Sequence, residues 1–150
     1  MRAKASGTDR PSNKREIRAW GVIVIRLLFV TPARDSLAGL ASALERNDEV
    51  ELSWAQSGGN ALDMVADTHF DLVVTDEFLG DMTGLELAER MLSVNPMINC
   101  AAVSKLSSKE FHEASEGLGL LAQLSAVPDK EEAEVLLQRL IDLKRRVADV

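Results

Sequence analysis

Asp71-Leu-Val-Val-Thr-Asp-Glu-Phe-Leu-Gly-Asp-Met-Thr-Gly84 is the stretch on which the reading of this chain turns. It begins as a short apolar run, the mark of a strand covered on both faces. Asp76 closes the run, and a loop over residues 77–83 containing Gly80 leads to Gly84. A helix is predicted over residues 85–94, stopped by Asn95-Pro96. Strand, loop and helix in that order form half of a parallel crossover unit.

The same rhythm repeats on both sides. Upstream, residues 22–30 are apolar except for Arg26 and rich in β-branched side chains, and some part of them reads as a first, buried strand. A helix is predicted over residues 33–46, with Leu37, Leu40, Ala41 and Leu44 on one stripe. Residues 50–55 alternate and read as a more exposed strand, after which Ser57-Gly-Gly-Asn60 opens a helix carrying Leu62, Val65 and Ala66. Downstream, Cys100-Ala-Ala-Val103 reads as a fourth strand, and residues 108–116 as a helix closed by Gly117 and Gly119. Residues 120–124 supply a fifth strand. The last helix starts after Pro128-Asp129, with a stripe of Ala133, Leu136, Leu137, Leu140, Leu143 and Val147. Five strand–helix units with short connections predict a doubly wound, five-stranded parallel sheet in a three-layer α/β sandwich. Chemistry in such sheets lies beyond the carboxyl ends of the strands. The residues there are Thr31, Pro32, Ala55, Asp76, Ser104 and those after Leu124.

Composition narrows the function classes. With 150 residues, 46% hydrophobic and 27% charged, the chain has the length and balance of one globular domain. The lone cysteine, Cys100, excludes an internal disulfide and a Cys-rich zinc site, and two histidines leave little for a His-based metal centre. Cys100 itself reads as a small core residue, and His112 as exposed. Ser57-Gly-Gly-Asn60 lacks the lysine of a phosphate-binding loop. Residues 1–19 hold six basic and two acidic side chains, giving +4, and the rest hold eleven basic and twenty-two acidic, giving −11. The reading is a basic, mobile tail over residues 1–20 and one acidic domain over residues 21–150, which does not bind nucleic acid. The basic start and apolar residues 21–30 imitate a signal peptide. Arg26 interrupts that run, and it falls far short of the roughly 20 residues that span a bilayer. A cytoplasmic protein with no membrane association is therefore expected.

At the carboxyl edge of the predicted sheet Asp76 stands out. A carboxylate there suits a metal ligand or a phosphoryl-accepting nucleophile, and Ser104 ends the neighbouring strand where its hydroxyl would reach a phosphoryl oxygen. A loop cap with an ordinary turn serine fits the spacing equally well.

The segment from Asp71 to Leu87 resembles the phosphoacceptor segment of response-regulator receiver domains, and the resemblance covers residues 24–146. In that family an aspartate at the end of the third strand takes a phosphoryl group from a sensor kinase. Asp76 occupies that position, Gly84 matches the glycine before the following helix, and Ser104 matches the switch Ser/Thr after the fourth strand. The resemblance implies a flavodoxin-like fold and a sensor kinase or downstream signalling protein as partner. It also implies contact through the fourth helix, fifth strand and fifth helix. On that face Phe111, Leu118 and part of the last helix are expected, and a homodimer through it is one outcome.

Three departures from the family stand in the sequence. Two adjacent acids that hold Mg2+ normally follow the first strand, and here the residues are Thr31-Pro32. A lysine just before a proline normally follows the fifth strand, and here Val127 precedes Pro128. The fifth strand also lacks its aromatic switch residue, since residues 120–128 contain no aromatic. Phosphoryl transfer relies on positioning and on positive charge over the equatorial oxygens, so weakened phosphorylation of Asp76 is expected. A divalent cation would find Asp76, a main-chain carbonyl such as that of Phe78, and water, which predicts weak Mg2+ binding. Asp81 is a further oxygen source in the same loop.

The expected function is thus a stand-alone receiver-like domain of a two-component phosphorelay. It acts through protein–protein interaction and is not an enzyme, with Asp76 as candidate phosphoacceptor and Ser104 as candidate switch hydroxyl. One alternative is a pseudo-receiver adaptor that works without phosphate. Another is a haloacid-dehalogenase-like hydrolase on the same fold. Against that stands Phe78, where the hydrolases want a second aspartate two residues after the nucleophile.

Overall fold

The computed structural model describes residues 24–148. The basic segment predicted to be mobile lies outside the described residues, as do residues 22 and 23 of the predicted first strand. Five strands, β1 (Ile25–Val30), β2 (Val50–Ala55), β3 (Leu72–Thr75), β4 (Asn99–Val103) and β5 (Leu120–Leu124), form one parallel sheet in the order β2-β1-β3-β4-β5. The helices between them are α1 (Ala38–Glu45), α2 (Gly58–Asp67), α3 (Gly84–Val94), α4 (Ser108–Ala114) and α5 (Lys130–Ala148). The strand order reverses between β1 and β3. In a doubly wound sheet that reversal opens a crevice at the carboxyl ends of those two strands.

Strand alternation divides the core into two layers. Ile25, Leu27 and Phe29 of β1 pack toward Leu40 and Leu44 of α1 and Leu136 and Leu140 of α5. Leu28 and Val30 face the opposite way, toward Val65 of α2 and Leu87 and Met91 of α3. Covering β1 on both sides is what its apolar run from Leu27 to Val30 demands. The side chain of Arg26 lies 3.5 Å from its in-register neighbour Glu51 on β2, so the charge in the run stays paired. β2 and β5 are the sheet edges, and their middle residues are only partly buried. Arg139 of α5 donates from Nη1 to the Leu121 carbonyl at 2.9 Å, occupying part of the open β5 edge.

Three expectations need correction. The helix predicted over residues 33–46 divides into a 3-10 turn (Arg34–Leu37) and α1. Ala33 supplies no side-chain cap, and the turn is tightened by an i+3 bond from Ser36 N–H to Ala33 O at 3.1 Å. Helix α4 ends at Ala114, earlier than predicted, and the chain leaves it through left-handed Gly117 (φ +84°) and Gly119 (φ +66°). Phe111, expected on an outward contact face, is turned inward and only 7% exposed.

Candidate functional site

Among the described residues the buried polar side chains are Thr31, Thr75 and Ser104. All three stand at carboxyl ends of strands: after β1, at the end of β3 and after β4. Asp76 lies among them, half-buried, its N–H bonded to Val30 O at 2.9 Å. Its Oδ1 accepts from the Glu77 N–H at 2.8 Å. Its Oδ2 accepts from two hydroxyls, Thr31 Oγ1 at 2.8 Å and Ser36 Oγ at 2.7 Å. Ala33 O is a second acceptor within reach of both hydroxyls, at 3.0 and 2.9 Å, but the charged carboxylate is the stronger one. Both carboxylate oxygens are thus engaged by neutral donors.

Ser104 sits on the adjoining strand end and is only 8% exposed. Its Oγ accepts from the Leu106 N–H at 3.1 Å, so the hydroxyl serves a local turn. The loop after β4 is held from two sides. The Gln123 side-chain amide of β5 donates to Ser104 O at 3.3 Å and Leu106 O at 2.7 Å, and Glu77 Oε2 accepts from Lys105 N–H at 3.2 Å. Phe78 projects outward, 66% exposed, beside a groove of about 180 Å³ that Ser104 and Leu106 also line.

Asp81 points away from Asp76. Its Oδ1 and Oδ2 accept from the N–H groups of Gly58 and Gly59 at 3.0 and 2.9 Å, at the first turn of α2. The Gly59 and Gly58 N–H groups hold the Asp81 carboxyl below its ordinary range, as an anion at a helix N-terminus should be. Ser57 caps the same helix through Asn60 N–H. The loop after β3 is therefore strapped to α2, and Asp81 is taken up as the strap. At the loop's far end Thr83 and Glu86 form a capping box, and Gly84 N–H bonds Glu77 O at 2.9 Å. A Cβ on Gly84 would collide with the Asp76 carbonyl oxygen. Glycine here lets α3 begin against the peptide of Asp76.

Sequence reasoning placed Asp76 and Ser104 at neighbouring strand ends, and the structure brings them to the same edge. It missed Ser36 altogether, and it placed Thr31 at the strand end without foreseeing its bond to Asp76. The one local signal was a pair of hydroxyls, Thr31 just before the 3-10 turn and Ser36 within it. The donors gathered at Asp76 suit a hydrogen-bonded carboxylate better than a divalent cation. Among the described residues no three His, Cys, Asp or Glu side chains converge to hold a metal ion. Val127, in the place where a lysine is expected, is an exposed apolar side chain.

A family model described as the response regulator receiver domain matches residues 28–136. The chain belongs to that family. A response regulator receiver protein from Anaeromyxobacter sp. (strain Fw109-5) is 30% identical to this receiver domain over 118 residues, 79% of the chain. The chain spans about half the length of that relative, 46%. Among solved structures, the signal receiver domain of an HD domain-containing protein from Pseudomonas fluorescens Pf-5 superposes with a TM-score of 0.71 at 20% identity, over 84% of this chain and 93% of that one. A chemotaxis response regulator of Vibrio cholerae gives a TM-score of 0.68 at 22% identity, over 78% and 98% of the two chains. At those identities the likeness is one of fold: the flavodoxin-like, five-stranded parallel sandwich of receiver domains. Among the described residues no helix is long and apolar enough to cross a membrane.

Proposed function

We propose that this receiver domain signals through protein–protein contact, with a sensor kinase or a downstream signalling protein, and that its Asp76 accepts a phosphoryl group poorly. The observation that carries this reading is the end of β1. Where two acids would gather a cation, a threonine hydroxyl faces Asp76 Oδ2 at 2.8 Å and a proline follows. The exposed Val127 adds to it, since no cation is delivered from the turn after β5. Each missing charge takes stabilisation from a transition state whose electrostatic contacts are commonly worth about 10²–10³ in rate. Mg2+ at this edge would have Asp76, main-chain oxygens such as that of Phe78, and water. A site of that kind binds weakly. Ser104 remains the hydroxyl nearest in sequence logic to a switch; its Oγ accepts the Leu106 N–H, a bond that leaves its O–H able to donate.

The experiment is intact-mass spectrometry of the protein after treatment with acetyl phosphate and MgCl2. Slow, substoichiometric phosphorylation is expected. Rapid and complete modification at Asp76 overturns the reading. A second reading, an adaptor that works without phosphate at all, is favoured by the hydrogen bonds that both Asp76 oxygens already accept. It predicts that Asp76→Asn leaves partner binding unchanged.

A further inference from the structure

We propose that Thr31 and Ser36 are positioning residues that hold Asp76 in one orientation and thereby withhold its Oδ2 from divalent cations, Ser36 being the half that releases. This rests on the poor-acceptor reading above and supplies its active cause: the edge is occupied as well as short of charge. A carboxylate offers about four lone-pair sites. Three are taken here, by Thr31 Oγ1, Ser36 Oγ and the Glu77 N–H, all at 2.7–2.8 Å. The two hydroxyls meet the same oxygen and lie 3.4 Å from each other, so they close Oδ2 from two directions. A cation at Oδ2, with ligand distances of about 2.0–2.1 Å, must displace those protons from the lone pairs it needs.

The two hydroxyls are not equivalent. Thr31 is buried and its Oγ1 also accepts the Ala33 N–H at 3.0 Å, which fixes it to the start of the turn. Ser36 is half-buried, and beside Asp76 its Oγ has Ala33 O at 2.9 Å and the Thr31 hydroxyl at 3.4 Å. The 3-10 turn brings Ser36 to Asp76 across 40 residues of sequence. Motion of that turn therefore frees half of Oδ2 while Thr31 stays.

The test uses the full chain and the amide resonance of Glu77, whose N–H reports directly on Asp76 Oδ1. MgCl2 is titrated into the parent, Ser36→Ala, Thr31→Val and the double variant, with Ser36→Thr and Thr31→Ser as hydroxyl-keeping controls. The double variant is expected to respond at MgCl2 concentrations at least about tenfold below the parent, the factor carried by one hydrogen bond to a charged group. Acetyl phosphate reactivity rises with it. Ser36→Ala alone moves in the same direction by a smaller factor, and both controls stay with the parent. A purely structural role would lower the melting temperature and leave the MgCl2 midpoint where it was. Should the double variant fail to fold, Ser36→Ala is judged by the same midpoint criterion. Equal midpoints in parent and variants, or a Ser36→Thr protein that behaves like Ser36→Ala, overturn the proposal. A parent that is rapidly phosphorylated overturns the functional reading instead, whereas a slow parent with unresponsive variants overturns the hydroxyl pair alone.

Discussion

Replacing Gly84 by alanine sets two effects of opposite sign against each other at one atom. Alanine is the better helix former by about 1 kcal/mol in a helix interior. Gly84 is the first residue of α3 and is not left-handed, so backbone conformation is no obstacle. Its obstacle is space. The added Cβ meets the Asp76 carbonyl oxygen and lies 2.9 Å from Thr75 Cγ2, where carbon atoms normally rest at about 3.5–4.0 Å. Relief requires α3 or the end of β3 to move by roughly 0.6–1 Å, and Thr75 is fully buried. Overpacking of this kind costs about 1–3 kcal/mol. The net is a loss of up to about 2 kcal/mol, centred near 1, or a fall of about 3–5 °C in melting temperature for a domain of this size. Gly59→Ala is the matched control. Its Cβ comes no nearer than 3.4 Å to Asp81 Oδ2, so propensity wins and a gain of about 0.5 kcal/mol is expected. Gly58→Ala falls between them, because its Cβ presses on the flexible Met82 side chain at 2.6 Å from Cε and Cγ. Urea and thermal unfolding followed by circular dichroism give the order. A Gly84→Ala protein as stable as the parent would refute the steric argument.

Restoring acids with Thr31→Asp and Pro32→Asp should raise Mg2+ affinity and acetyl phosphate reactivity together, the latter by about 10²-fold, and Asp76→Asn in that background should abolish both. The like charges should also lower the melting temperature without metal, with recovery in MgCl2, as thermal scans will show. Burial pushes the Asp71 carboxyl upward, but the Arg26 N–H, Lys144 at 2.9 Å and His69 outweigh it and hold the group below 3.8. The stability it contributes is thus present above pH 3.8 and lost as pH falls through the lower folded value, and Asp71→Asn should flatten the acid limb of a urea-midpoint profile. Burial pushes the Cys100 thiol up to about 12, so the folded protein should resist iodoacetamide at pH 8 and react once unfolded in urea.

The fold was legible because each element declares itself locally. In β3, Leu72, Val73 and Val74 are apolar without a break, and all three are buried on a central strand. The stripe of Ala133, Leu136 and Leu140 marks α5 and lies in the core. Phe111 went astray for a physical reason, since a helix of seven residues makes too few turns to define an apolar face. The site was legible only at Asp76 and Ser104, where strand ends meet a known geometry. Ser36 and Asp81 find their partners 40 and 22–23 residues away, and each looks in sequence like an ordinary polar residue of a helix start or loop. Nothing local to Ser57-Gly-Gly-Asn60 shows that its glycines keep their N–H groups open for a carboxylate from another loop.

The turn that carries Ser36 also carries Arg34, whose guanidinium lies 4.9 Å from the Trp54 ring centroid on β2. Trp54 in turn meets Phe29 edge-on, with centroids 5.3 Å apart and planes at 67°. Withdrawing a cation from an indole face removes an electrostatic contact with the ring and changes the field in which it emits. Trp54 is therefore an intrinsic optical gauge of the turn beside Asp76. The chain has two tryptophans, so Trp20→Phe leaves Trp54 as the one emitter. A stopped-flow trace of that emission would time the opening of the turn without a label.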